Sequence, residues 1–373
     1  MMAAVRVHVV DPSAYTPPYD HALCAALARA GARVELVTSR FDYAQAPRQD
    51  GYEVREAFYR WMPGSPGSGV RRAAKLAQHV PDMLRYRRTA SGADVVHFEW
   101  LPVQPLDARL LPRGRPLVVT AHDVLPREAR PSQRAAQRRL YERADAVVVH
   151  SHHGRERLVV DLEIEPERVH VIPHGAFAHL AELPAAPLPA ELAAVEGPVV
   201  LFFGLLRPYK GVEVLLDAWK GVGGAELWIV GMPRMPLGPL RSRATPSARF
   251  VTRYVSDAEL AAYFRRADLV VLPYREIDQS GVLATALAFG KPLLLTSVGG
   301  FPEVAALGAA ELVEPGDRPA LHIALKRLLD DPARRAALAE AAARAARTTY
   351  AWDTVARDHL ALYEGLLRDN PRP

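Results

Sequence analysis

The sequence predicts an α/β fold of two Rossmann-like, doubly wound domains that face each other across a cleft. Three observations carry this expectation. Short, nearly continuous apolar runs alternate with helix-period segments, the pattern of strands buried on both faces of a parallel sheet. The alternation stops at a stretch rich in Ala, Leu and Pro, residues 176–198, and then restarts. The chain has 373 residues, 49% of them hydrophobic, enough for two ordinary cores.

In the first half, Val5–Val10 reads as a strand, and Asp20–Ala30 as an apolar-faced helix with Gly31 placed to cap its C-terminus. Arg33–Thr38 alternates like a second strand. Further strands are expected at Asp94–Phe98, Pro116–Thr120, Asp145–Val149 and Val169–Ile172, with helical segments between most of them. Pro184, Pro187, Pro189 and Pro198 break regular structure, so 176–198 reads as a connection between domains 1–180 and 181–352. The second series has strands at Pro198–Phe203, Glu226–Val230, Asp268–Leu272 and Pro292–Thr296. Its helical patterns cover about 211–220, 256–266, 282–289 and 318–330, and the Ala-rich 333–368 reads as two helices parted near Thr348–Trp352. Paired domains of this kind place a ligand between the carboxyl ends of their strands.

Composition excludes several classes. The lone Cys24 allows neither an internal disulfide nor a Cys-rich zinc site, which sets a reducing, cytoplasmic compartment as the expectation. No apolar run reaches the roughly 18–20 residues of a membrane span, and the N-terminus reads as a strand and not a signal peptide. The net charge is +5, and residues 1–180 hold 25 Lys/Arg against 20 Asp/Glu while the remainder is balanced. That excess is modest and lacks interleaved aromatics, so nucleic acid is not an expected partner.

The strongest local signal is Phe202-Phe-Gly-Leu-Leu-Arg-Pro-Tyr-Lys-Gly211. A buried strand ends at Gly204, two cations three apart follow, and Gly211 opens an apolar helix. Backbone N–H groups at a helix start, backed by Arg207 and Lys210, suit a diphosphate. A solvated loop with two surface cations is the plainer alternative. The second signal runs from Tyr274 to Pro292. A strand leaves Pro273, a polar loop reaches Gln279-Ser280-Gly281, and a small-residue helix runs to Gly290. Its groups suit an anion or sugar hydroxyls, or simply close strand–turn–helix packing. Both loops fall at strand carboxyl ends of one domain, which favours a shared ligand.

These segments, in this order, resemble the family 4 glycosyltransferases of the GT-B fold. The carriers are Gly204 through Arg207 and Lys210-Gly211, the 279–292 loop and helix, and Ser297–Glu303. Others are Val171-Ile-Pro-His-Gly175, Ala267–Pro273 and Tyr350-Ala-Trp352. The resemblance covers nearly the whole chain. It implies a C-terminal domain that binds a nucleotide sugar, an N-terminal domain that binds the acceptor, and a final helix, about 353–368, packed back onto the N-terminal domain. It also implies hexosyl transfer with retained anomeric configuration, as in polysaccharide biosynthesis. No cofactor is expected beyond the nucleotide-diphosphate sugar as co-substrate.

Carried over residue by residue, Arg207 and Lys210 match the pair that holds the donor diphosphate, although they stand closer together than in the common form. His122, in Thr120-Ala-His-Asp123, matches a histidine that contacts the donor sugar; a turn residue or helix cap is the alternative. Val255 matches a position whose backbone meets the base. The family's two glutamates, separated by seven residues, are absent: Ile277 and Thr285 stand there. Glu276 and Asp278 flank the first place, and Thr285 supplies one hydroxyl but no carboxylate. The Gln279-Ser280-Gly281 loop is similar to a branch of the family that lacks the pair.

Transfer passes through an oxocarbenium-like state, so charge on the leaving diphosphate needs stabilising. With no Asp-x-Asp pair in the sequence, the expectation is a metal-independent enzyme using Arg207, Lys210 and the backbone of Ser280, Gly281 and Val282. On the acceptor side, Tyr15 and Tyr19 suit stacking on a sugar ring and Asp20 suits a hydroxyl, or serves as a plain N-cap. Glu99-Trp100 ends another strand with the same two readings. Arg71, Arg72, Lys75, Arg85, Arg87 and Arg88 share one helical region with apolar neighbours. This fits peripheral contact with an anionic membrane at its inner face, for a lipid-linked acceptor, or a solvated helix face. A catalytically silent sugar-nucleotide-binding protein is the alternative function. A dehydrogenase lacks support, since no Gly-x-Gly-x-x-Gly follows the first strand of either half.

Overall fold

The computed structural model describes residues 4–42, 49–65, 67–125 and 130–369. It forms two compact units: residues 1–175 with 352–373, and residues 176–351.

The first unit is built on a seven-stranded parallel sheet. Its strands are β1 (Arg6–Asp11), β2 (Arg33–Ser39), β3 (Glu53–Phe58), β4 (Val95–Phe98), β5 (Leu117–Thr120), β6 (Ala146–Val149) and β7 (Val169–Val171), in the order β3-β2-β1-β4-β5-β6-β7. Val7, Val9 and Val10 of β1 and all of β4, β5 and β6 are buried. Helices must therefore cover both faces. The last helix, Trp352–Asp369, belongs to this unit: Tyr363 bonds His97 of β4 at 2.6 Å, and Arg29 pairs with Asp353 at 2.9 Å.

The second unit carries a six-stranded parallel sheet. Its strands are β8 (Val199–Phe203), β9 (Glu226–Val230), β10 (Ala248–Val251), β11 (Leu269–Leu272), β12 (Leu293–Thr296) and β13 (Ala310–Val313), in the order β10-β9-β8-β11-β12-β13. Trp219, Trp228 and Phe202 are among its fully buried side chains.

Each sheet reverses its winding once, between β1 and β4 and between β8 and β11. At such switch points the loops leaving the strand ends diverge and open a crevice.

Four details differ from the sequence expectation. The stretch 176–198 is not a free connection but part of the second unit. Ala186 N donates to Ala258 O at 2.9 Å, Arg265 bonds Ala181 O and Leu183 O, and Leu192 is buried in the core. It also holds two short helices, Ala178–Glu182 and Ala190–Ala193. The first long helix is Pro17–Arg29, three residues earlier than expected, with Thr16 at its cap position, so Asp20 lies in the first turn and is not the N-cap. The fixed φ of Pro17 and Pro18 favours that earlier start. In the basic helix Gly69–Thr89, Arg71 is buried and paired with Asp42, so it belongs to no surface patch.

Candidate functional site

Both switch points gather the residues singled out in the sequence. In the second unit, the chain leaves β8 through Gly204 at φ +120°. A Cβ there would lie 2.9 Å from Lys210 Nζ and 3.1 Å from Val282 Cγ2. Three of the candidate donor-binding residues, Gly204, Lys210 and Val282, thus meet at one point. Residues 208–210 form a single 3₁₀ turn, and Gly211 at φ +65° starts the helix Val212–Trp219. Any side chain at Gly211 would strike Pro273 O, 2.0 Å from the ideal Cβ position. This close backbone approach draws the loop after β8 against the loop after β11. Arg275 N donates to Tyr209 O at 2.7 Å, and the Arg275 guanidinium pairs with Glu213 at 2.5 Å.

Lys210 is only 7% exposed, and its ammonium lies 4.8 Å from the centroid of the buried Tyr274 ring. The negative face of the ring attracts the ammonium. Arg207 is different: it is exposed on the loop.

The loop after β11 ends in the helix Gly281–Ala288. Ser280 caps it, its Oγ accepting from Leu283 N at 3.3 Å. The Gln279 Oε1 atom is buried with no hydrogen-bond partner among the described residues. Asp278 is buried and Glu276 is exposed. Thr285 is buried and donates its hydroxyl hydrogen to Gly281 O at 2.9 Å, which leaves its oxygen only as an acceptor. Val255 sits half-buried before the helix Asp257–Arg266, which opens on a Ser256–Glu259 capping box.

In the first unit, the loop after β1 is tied down by Asp11, whose carboxylate accepts from the backbone N–H groups of Ser13, Tyr15 and Thr16. Asp20 lies beside it. Burial, then the Asp11 and Glu99 charges, push the Asp20 carboxyl well above the usual carboxylate range. Tyr15 is 67% exposed, with its ring 4.4 Å from that of Trp100, whose Nε1 donates to Thr16 Oγ1 at 2.7 Å. An aromatic pair therefore stands at the switch point.

Tyr19 and Asp20, expected on the acceptor side, are buried, each 1% exposed. The Tyr19 ring packs against His122, His150, His174 and Trp352, with centroids 4.8–5.6 Å away. Hydrophobic packing of the helix Pro17–Arg29 on the sheet turns both side chains inward.

His122 is 2% exposed, so it is no solvent-facing turn residue. Its Nε2 lies 3.0 Å from Glu99 Oε2, and its Nδ1 lies 3.0 Å from His150 Nε2. Trp100 stacks on its face at 4.8 Å and 9°. Burial lowers the His122 pKa to about 3 and, with the neighbouring imidazoles, holds His150 and His174 well below the usual imidazole value. The sequence does not single out His150 and His174 as site groups. A signal for them exists: each follows a strand end within three residues, as His122 and Glu99 do.

Known proteins show the same organisation. Residues 19–176 match the model of "Glycosyltransferase Family 4", and residues 197–331 match that of "Glycosyl transferases group 1". A D-inositol 3-phosphate glycosyltransferase of Jonesia denitrificans is 30% identical, over 92% of this chain and 89% of that protein. A GDP-mannose:glycolipid 4-beta-D-mannosyltransferase of Xanthomonas campestris pv. campestris is 31% identical over 55% of this chain and 61% of its own. Among solved structures, Anabaena HepE in complex with UDP-glucose superposes with a TM-score of 0.73 at 20% identity, over 97% of this chain and 100% of that one. The fold is thus GT-B.

Proposed function

Since the chain belongs to glycosyltransferase family 4, we propose that this glycosyltransferase moves a hexosyl unit from a nucleotide-diphosphate sugar to a hydroxyl acceptor, with retention and without a metal ion. The observation that carries the reading is the buried ammonium of Lys210, held beside Gly204 and the Gly281–Ala288 helix start at the switch point of the second sheet. A fixed cation next to backbone N–H groups at a helix start is what a leaving diphosphate needs, and a low-dielectric surround strengthens it.

The donor is held by Gly204, Lys210, Ser280, Gly281 and Val282, with Arg207 swinging in from solvent. Val255 meets the base. Gln279, whose carbonyl oxygen lacks a partner among the described residues, takes over hydroxyl recognition together with Glu276 and Asp278 in this Gln-Ser-Gly loop. Thr285, whose hydroxyl hydrogen is used on Gly281 O, can only accept from a ligand hydroxyl. His122 contacts the donor sugar. The leaving phosphate accepts the acceptor's proton, so no separate base is required.

The acceptor is met by Tyr15 and Trp100. A lipid-linked acceptor is supported by the helix Gly69–Thr89, which exposes Val70, Leu76 and Leu84 beside the exposed Arg72, Arg85 and Arg88. An apolar stripe flanked by cations suits peripheral contact with an anionic inner membrane face. Among the described residues, no helix is long and apolar enough to cross a membrane.

Thermal-shift measurements against UDP, GDP, UDP-glucose, GDP-mannose and NAD test the donor reading. A nucleotide diphosphate or its sugar raises the melting temperature and NAD does not. Stabilisation by NAD alone contradicts the reading.

A further inference from the structure

Four adjacent strands of the first sheet end in a row of ionisable side chains. Glu99 follows β4, His122 follows β5, His150 follows β6 and His174 follows β7. Parallel strands in sequential order place these ends side by side, so residues far apart in sequence become neighbours. The contacts then run in one direction. Glu99 Oε2 faces His122 Nε2 at 3.0 Å, His122 Nδ1 faces His150 Nε2 at 3.0 Å, and His150 Nδ1 faces the Ile172 backbone carbonyl at 3.0 Å.

The carbonyl decides where the protons lie. It accepts only, so His150 Nδ1 carries a hydrogen. His150 is buried and neutral, so its Nε2 is a lone pair. That lone pair demands a hydrogen on His122 Nδ1. At the far end, His122 Nε2 and Glu99 Oε2 stand 3.0 Å apart and share one proton, which the pair carries jointly. The His122 ring is also clamped. Trp100 covers one face, and Tyr19 meets it edge-on with centroids 4.8 Å apart.

We propose that His150, anchored on the Ile172 carbonyl, is a positioning residue that fixes His122 with its proton on Nδ1 and leaves Nε2 as the nitrogen that exchanges Glu99 for a ligand hydroxyl. Glu99 suits the exchange. Its Oε1 is buried with no hydrogen-bond partner among the described residues, and His97 Nε2 stands 3.4 Å away. His97 Nε2 is bonded to Thr120 Oγ1 at 2.7 Å, so the carboxyl is held on its Oε2 side alone and is the weaker-tied end of the row. The other ionisable groups around the row are Tyr19 and Asp20 from the helix Pro17–Arg29, His174 after β7, and His359 and Tyr363 from the last helix. The hydrogen-bond partner of His122 Nδ1 is His150, not one of these.

The catalytic consequence rests on the reading of His122 as a donor-sugar contact; the tautomer does not. Long-range ¹H–¹⁵N spectra of the full chain labelled with ¹⁵N-histidine, assigned with His122→Gln and His150→Gln, read the tautomer directly. The expected spectrum shows protonated Nδ1 on both residues from pH 5 to pH 8. An unprotonated Nδ1 on His122 overturns the proposal. Kinetics supply a second readout. The glutamine side chain of His150→Gln keeps an acceptor toward His122 and a donor toward Ile172, whereas His150→Phe keeps neither. The expected result is kcat within about threefold of the parent for His150→Gln, and at least about a tenfold loss for His150→Phe with donor KM unchanged. Equal kcat in the two variants also overturns it. If His122→Ala transfers sugar normally, the donor-contact reading fails, while the spectra still decide the tautomer.

Discussion

Replacing Lys210 by alanine removes the buried cation at the switch point of the second sheet. A unit charge about 4 Å from a phosphate oxygen contributes about 4 kcal/mol at an effective dielectric near 20. The 7% exposure of Lys210 argues against a weaker, water-like value. Part of that energy is already present in the bound donor and affects KM alone. The rest appears as charge builds on the leaving diphosphate, where losing one fixed stabiliser costs about 10²–10³ in rate. Lys210→Ala therefore lowers kcat at least about a hundredfold and kcat/KM by about a thousandfold, since about 1.4 kcal/mol is a factor of ten. The assay is release of nucleotide diphosphate from UDP-glucose and from GDP-mannose, run beside thermal melting. The fold should survive, because Lys210 ends a short turn beside the Tyr274 ring and the Gly204–Val282 edge and contributes no side chain to the apolar core. A folded Lys210→Ala protein with kcat within about fivefold of the parent rules out this ammonium as the stabiliser of the leaving diphosphate.

Three further outcomes follow from separate parts of the structure. Gly211→Ala forces a Cβ against Pro273 O, 2.0 Å away, at φ +65°, and should destabilise the second unit by about 2–4 kcal/mol in urea melts; a loss below about 1 kcal/mol contradicts the close approach. Glu35 is held at about 2 by its hydrogen bonds to His8 and Arg55. Because its folded pKa lies below the unfolded value, its contribution is complete above about pH 4.5 and is lost as pH falls toward about 2. After discounting for its partial exposure, Glu35→Gln should cost about 1 kcal/mol at pH 7, with the gap to the parent closing across that acid window; a gap that stays constant refutes the pairing. Changing Arg72, Arg85 and Arg88 together to glutamine should abolish flotation with anionic liposomes at low salt while leaving the melting temperature within a few degrees, and a parent protein that never floats removes the membrane proposal.

The central strands are legible in the sequence because both faces are buried: Leu269–Leu272, Val199–Phe203 and Ala146–Val149 are continuous apolar runs. The strands that the sequence hides are all at sheet edges. β3 carries Glu-Val-Arg-Glu-Ala-Phe, β10 Ala-Arg-Phe-Val and β13 Ala-Glu-Leu-Val, each tolerating polar residues on an open side. The glycine-marked loop after β8 is equally visible, because backbone on backbone at Gly211 and Pro273 leaves no room for a Cβ and only glycine satisfies that. Inward and outward orientation is not visible. Tyr15 and Tyr19 look alike in sequence, yet the helix starting at Pro17 leaves one exposed and turns the other into the histidine row. The row itself exists only through strand order, which no local pattern encodes.

The central proposal is that protein cations of the second unit, with no divalent ion, neutralise the donor diphosphate. Transfer from the nucleotide sugar that gives the largest thermal shift, measured after exhaustive dialysis against EDTA, tests this most directly. The expected result is the same kcat before and after chelation, with no gain on adding magnesium or manganese. Activity lost on chelation and restored by manganese contradicts it.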